Sequence, residues 1–338
     1  MGIDDRLAFL ISTPRSGSTL LARMLGAHSA IHAPVEPHLM PPLAHLGYYE
    51  TVEAAPYDPV ITQRGLREFV KGLPGGEADL LDGLRALTGT LYGRSLEASG
   101  RRLFLDKTPA YALVLDFLAR LHPGARYVVL TRHPAAIWSS YVDSFFDGDH
   151  EAAHRRNPVL ERYVPAIARF LRERPVPLLH VRYEELVADP PGQLARLCEH
   201  LGLDFEPGMV EYGKSGGDAP IARGLGDPIT AAQEGRPTTR SLDKWESALA
   251  AHPQRLTQVR EIVARIPDED LAAFGHPRAE LEPELAGVTP AGVAPSRGKL
   301  TRYALERRLL VTLRRNIHRN AFGRLVRRVR TACDVLLR

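Results

Sequence analysis

The stretch Leu7 to Leu25, LAFLISTPRSGSTLLARML, constrains the fold of this chain more than any other. Leu7 to Ser12 is a short apolar run with Phe9 and Ile11, which suits a buried strand. Pro14 and Gly17 punctuate a tight loop, and Ser18 or Thr19 is placed to cap a helix. Leu20, Leu21, Met24 and Leu25 then recur at helical spacing. A strand, a Gly-containing loop and a helix N-terminus make an anion site from backbone N–H groups and the helix dipole. Arg15 adds a fork-shaped cation, and Ser16, Ser18 and Thr19 add hydroxyl donors. The bland alternative is a strand-to-helix turn that is merely Ser-rich. The nucleotide-hydrolase cradle G-x-x-x-x-G-K-[ST] is excluded, because Gly17 stands where that motif needs Lys, and no residue is placed to hold magnesium.

The rest of the chain alternates in the same way. Arg102–Asp106, Ala125–Thr131 and Val176–Tyr183 read as further buried strands. Helical patterns fall within 47–100, after Pro109, after Arg132, over Val159–Arg172, Gln193–Leu201 and Leu242–Ala250. Ala27–His45 reads as a Pro- and His-containing loop, and 213–239 as a long loop of the kind that is functional when it occurs in a compact domain. Strands alternating with helices predict an α/β fold: a P-loop-like parallel sheet flanked by helices. Three regions are expected: a domain over 1–275, a Pro/Gly/Ala-rich linker over 276–297, and a basic amphipathic helical tail over 298–338.

Charge supports that division. From Arg297 onward there are 13 Lys/Arg against Glu306 and Asp334, a net +11, whereas the remainder is −7. The chain's overall +4 therefore describes its tail and gives no reason to expect nucleic-acid binding by the body. For the tail, packing on the body or a homodimer partner is favoured over peripheral contact with anionic lipid. Two cysteines, Cys198 and Cys333, make no disulfide framework. With acidic residues at the start and no apolar run long enough to span a bilayer, the chain reads as soluble and cytoplasmic.

A second anion site lies after the Ala125–Thr131 strand, where Arg132 is followed eight residues later by Ser140. Together with PRSGST, this pairing resembles the sulfotransferases that use 3′-phosphoadenosine-5′-phosphosulfate (PAPS), and in particular the tyrosylprotein type and its bacterial relatives. Further points of resemblance are Glu36, 21 residues after Arg15; Asp106-Lys107-Thr108-Pro109; Tyr183-Glu184; and Lys244-Trp245. The resemblance runs over about residues 7 to 250. Two anion sites on neighbouring strand ends match a nucleotide phosphorylated at both ends of its ribose.

The resemblance implies a role for each of these residues. Arg15, Ser16, Gly17, Ser18 and Thr19 hold the 5′-phosphosulfate, Arg15 also bears leaving-group charge, and Arg132 and Ser140 hold the 3′-phosphate. Lys107 reaches the bridging or a sulfonate oxygen, Tyr183 and Lys244 contact the nucleotide, and no metal is required. Glu36, in an apolar loop, is the expected general base, with His38 second. Arg236 and Arg240 are weaker candidates to close over the nucleotide. His133 is expected to be structural, and Asp143 and Asp147 solvated. The acceptor is expected to be a small molecule, lipid or glycan, its pocket shaped by 37–100 and 144–158. Two rival readings are a P-loop kinase or hydrolase and a non-catalytic nucleotide- or membrane-binding module.

Overall fold

In a computed structural model describing residues 2–46, 48–49, 59–214 and 235–290, the apolar runs pair into a five-stranded sheet of order β2–β3–β1–β4–β5. The strands are β1 (Leu7–Ser12), β2 (Ile31–His32), β3 (Leu103–Lys107), β4 (Arg126–Thr131) and β5 (Leu178–Arg182). Every pair is parallel, with Leu7 opposite Phe104 on one side of β1 and Ala8 opposite Arg126 on the other.

Strand periodicity explains why both faces are covered. Leu7, Phe9 and Ile11 enter one core with Tyr127 and Val129. Ala8 and Leu10 enter the other with Val128 and Leu130. A strand buried on both sides is nearly continuously apolar, as β1 is from Leu7 to Ile11. The second face is closed by helices Ser18–Gly26, Tyr183–Ala188 and Pro190–Leu201. The first is closed by a larger set including Glu77–Ser99, Pro134–Phe146 and Val159–Glu173. The chain leaves β1 towards β2 and β3, then crosses to β4 on the far side. This reversal opens a crevice at the carboxyl ends of β1 and β4, where parallel sheets bind ligands.

The α/β class and the parallel sheet stand as expected, with three local corrections. Ile31–His32, within a stretch read as loop, forms edge strand β2 on β3. The segment after Lys107 starts as a 3-10 turn, Pro109–Leu113, before helix Leu115–Leu121. Within the expected linker, Arg278–Gly287 is a helix whose Leu281 and Leu285 are buried in the first core. The basic tail and most of the long loop, 215–234, lie outside the described residues. No described helix is long and apolar enough to cross a membrane.

Candidate active site

The loop after β1 turns sharply because Arg15 and Gly17 both take positive φ, 70° and 89°. Glycine is required at 17 twice over: the backbone is left-handed, and a Cβ would collide with the Tyr183 ring. Gly17, and not Ser18 or Thr19, occupies the N-cap of helix Ser18–Gly26, and no side chain caps that helix. Its first N–H groups therefore remain directed at whatever anion sits in front of them.

A cavity of about 580 Å3 opens here. Arg15, Gly17, Ser18, Thr19, Arg132 and Ser140 all line it, so the two anion sites belong to one space. They are also bonded to each other: Arg15 Nε donates to Ser140 Oγ at 3.0 Å, and Arg132 Nη1 donates to the Arg15 carbonyl at 3.2 Å. Arg132 is half-buried, its guanidinium 4.3 Å from the Tyr183 ring centre and its Nη2 donating to the Ser241 carbonyl at 2.8 Å. Burial lowers its pKa, opposed by Tyr183 and Glu184. A cation stripped of water and served by neutral acceptors gains most from an anion placed beside it.

As a hydroxyl donor to the anion, Ser16 departs from its expected role. Its side chain is fully buried and its hydroxyl bonds to Thr13 Oγ1, so it stiffens the loop from beneath and does not line the cavity. Tyr183 does line it, sharing a 2.6 Å hydrogen bond with Ser241 Oγ. Lys244, Arg236 and Arg240 line the same cavity, with Arg236 paired to Glu211. Asp143, expected to be solvated, also lines the cavity and accepts from Arg255 Nη1 at 2.8 Å. Of the described residues in 37–100, His38 alone reaches the cavity wall, whereas Ser144 and Phe145 reach it from 144–158.

The opposite wall carries the candidate base. Glu36 Oε1 forms an ion pair with Lys107 Nζ at the end of β3, and Glu36 Oε2 lies 3.3 Å from His38 Nε2. Lys107 is buried, does not line the cavity, and also donates to Thr19 Oγ1 at 3.4 Å. It thus stands between Glu36 and the helix that forms the cradle. His38 has a positive φ of 53°, and its amide donates to Thr108 Oγ1 at 3.3 Å. Non-glycine residues rarely take such backbone angles, and strain of this kind gathers at functional sites.

Some participants had little or no local signal. Ser241 reaches Arg132 and Tyr183 from a distant segment. Trp245, noted beside Lys244, has its indole stacked on His133 at 4.4 Å. His133 is structural as expected: its amide donates to Glu184 Oε1 at 2.9 Å, and burial, aided by Arg132 and Arg182, pushes its ring down to about 4. Among the described residues no cluster of three or more His, Cys, Asp or Glu could hold a metal ion.

Similarity to known proteins identifies the family of the chain. Nodulation protein NoeE of Sinorhizobium fredii is 27% identical over 311 residues, spanning 85% of this chain and 70% of that protein. The omega-hydroxy-beta-dihydromenaquinone-9 sulfotransferase Stf3 of Mycobacterium bovis is 28% identical over 132 residues, 33% of each protein. Among solved structures, the sulfotransferase domain of the Synechococcus PCC 7002 olefin synthase is 25% identical, covers 77% of this chain and 95% of its own, and superposes with a TM-score of 0.49. A family model described as the sulfotransferase family matches residues 8–207, more than half of the chain. The chain belongs to the sulfotransferase family.

Proposed function

We propose that this sulfotransferase takes its sulfuryl group from PAPS and delivers it to a hydroxyl on a small molecule, lipid or sugar, with Glu36 as general base. The observation that carries this reading is the convergence of Arg15, the Gly17–Thr19 helix start, Arg132 and Ser140 on one cavity with Glu36 in its wall. The residues fit such a donor: the helix start is uncapped, the bare Gly17 lets the Tyr183 ring close against the loop, and Arg132 is a half-buried cation whose hydrogen bonds go to neutral carbonyls.

PAPS supplies an activated sulfuryl group on a phosphate leaving group. Glu36 accepts the acceptor's hydroxyl proton. Arg15 and the amides at the start of helix Ser18–Gly26 meet the charge that grows on the 5′-phosphate. Lys107, held by Glu36 and Thr19, would supply a further cation for that charge, and its turning away from Glu36 would free a carboxylate oxygen to accept the proton. Arg132 and Ser140 distinguish the 3′-phosphate. A second reading for the proton acceptor rests on the 3.3 Å His38–Glu36 contact and the greater exposure of the His38 side chain, 45% against 12%. Here His38 takes the proton and Glu36 orients its ring.

The test is calorimetric titration with 3′-phosphoadenosine-5′-phosphate (PAP), with 5′-AMP and ATP–magnesium as controls, on wild type and Arg132→Ala. Tight PAP binding that the variant loses supports the reading. Preference for ATP–magnesium, or indifference to the substitution, overturns it. Glu36→Gln and His38→Asn, assayed for transfer from PAPS, separate the two bases.

A further inference from the structure

Behind the wall that carries Glu36 lies a buried carboxylate with no part in the steps above. Asp106, the residue before Lys107 on β3, is fully buried, and its Oδ2 accepts from two phenols: Tyr92 at 2.6 Å and Tyr111 at 2.9 Å. The two phenols differ in what else they hold. Tyr92 comes from the long helix Glu77–Ser99 and packs on Phe104, 4.7 Å between ring centres. Tyr111, also fully buried, uses its oxygen a second time, accepting from the amides of Leu39 at 3.1 Å and Met40 at 3.4 Å. Those amides open the short helix Met40–Ala44, whose first N–H groups have no side-chain cap of their own.

We propose that Asp106 and Tyr111 are positioning residues for the transfer reaction, forming a tether (Asp106 carboxylate, Tyr111 hydroxyl, Leu39 and Met40 amides) that fixes the 36–40 loop and so aims Glu36 and His38 at the cavity. The inference rests on the assignment of this wall to the base. The hydrogen bonds run one way: the amides donate to the phenol, and the phenol donates to the carboxylate, so each link polarises the next. Thr108 adds a parallel link, accepting from the His38 amide. One segment, Asp106 to Tyr111, therefore sets Lys107 on β3 and, through side chains, the loop that faces it. Tyr92 shares the same carboxylate oxygen but ends on a helix that does not line the cavity. Any role of Tyr92 is consequently in stability alone.

That contrast supplies the test. Tyr111→Phe and Tyr92→Phe each remove one hydroxyl from the same acceptor and keep the ring. Amide hydrogen exchange of the peptide spanning 36–43 is measured in the ligand-free full-length protein, together with PAP affinity and turnover of PAPS with 4-nitrophenol. The tether predicts that Tyr111→Phe exchanges at 39–40 at least 10-fold faster and loses at least 10-fold in kcat, with PAP affinity and donor KM within twofold. Tyr92→Phe should lower the melting temperature and leave exchange at 39–40 and kcat within twofold. Equal losses of kcat in both variants, or a Tyr111→Phe protein within twofold of wild type in exchange and kcat, would overturn the proposal. A wild-type protein that fails to bind PAP overturns the donor reading instead, and the exchange comparison then decides the tether by itself.

Discussion

The two walls of the cavity, one proposed to hold the donor's anionic groups and the other the base, are built by different means. The anion wall is made of main chain: a positive-φ turn, an uncapped helix start and two carbonyls gripping Arg132. Its position follows from the neighbouring ends of β1 and β4, which are paired through five residues each. The base wall is a loop next to a two-residue edge strand, held by side chains: Lys107, Thr108 and Tyr111. A wall made of sheet ends is set by the fold, whereas a wall hung on side-chain hydrogen bonds can be loosened one atom at a time.

Substitutions should therefore act differently on the two sides. The largest effect is expected at the base wall: Glu36→Gln should lower kcat by about 10²–10⁴-fold, the usual range for loss of a general base, while PAP affinity stays within a few-fold by calorimetry. Next comes Arg132→Ala, whose loss of charge-assisted contacts worth roughly 1.5–3 kcal/mol should weaken PAP binding by about 10–100-fold. Binding of 5′-AMP, which lacks the 3′-phosphate, should change far less, and equal losses would erase the distinction between the two anion sites. Gly17→Ala should destabilise the fold by about 1–3 kcal/mol through its left-handed backbone alone, read as a lower urea midpoint, with further loss from the clash with Tyr183.

A further effect concerns pH. Burial raises the Asp106 carboxyl from 3.8 to about 7, against the lowering effects of Tyr92, Tyr111, Thr108 and Lys107. A raised carboxyl pKa means that the native state keeps a proton the unfolded chain has released. Between about pH 4 and 7 this group's contribution to stability falls as pH rises, by at most about 1.4 kcal/mol per unit. His133 does the reverse: its pKa falls from 6.5 to about 4, so its contribution is lost as pH drops through that window. Urea midpoints from pH 4.5 to 7 should show wild type losing stability relative to Asp106→Asn as pH rises. A pH-independent difference would contradict this.

How much of the molecule was legible in the sequence depends on the same division. β1, β3 and β4 are largely apolar runs buried on both faces, and β5 leaves a shorter apolar signal at the sheet edge; Arg15, Arg132 and Ser140 follow β1 and β4 at fixed offsets. β2 left none, because two residues do not make a period. Helix Arg278–Gly287 was masked by Pro277 and Pro283, and packing of Leu281 and Leu285 overrides that composition. That the Ser16 hydroxyl turns beneath the loop leaves no trace in the sequence, because residue type does not tell which way a hydroxyl points. The grip of Ser241 on Arg132 spans 109 residues, and that of Tyr111 on Leu39 spans 72, distances over which sequence carries no pairing signal.

The central place of β1 has a consequence for how the chain is made. Its six buried residues are synthesised before either partner, Phe104–Lys107 on one side and Arg126–Leu130 on the other. At roughly 5–20 residues per second, on the order of ten seconds separates the emergence of LAFLIS from that of its second neighbour. During that interval an apolar strand with two open edges waits on the ribosome. Its safe folding depends on shielding during translation, and abrupt refolding of the full-length chain from denaturant exposes it to its own copies.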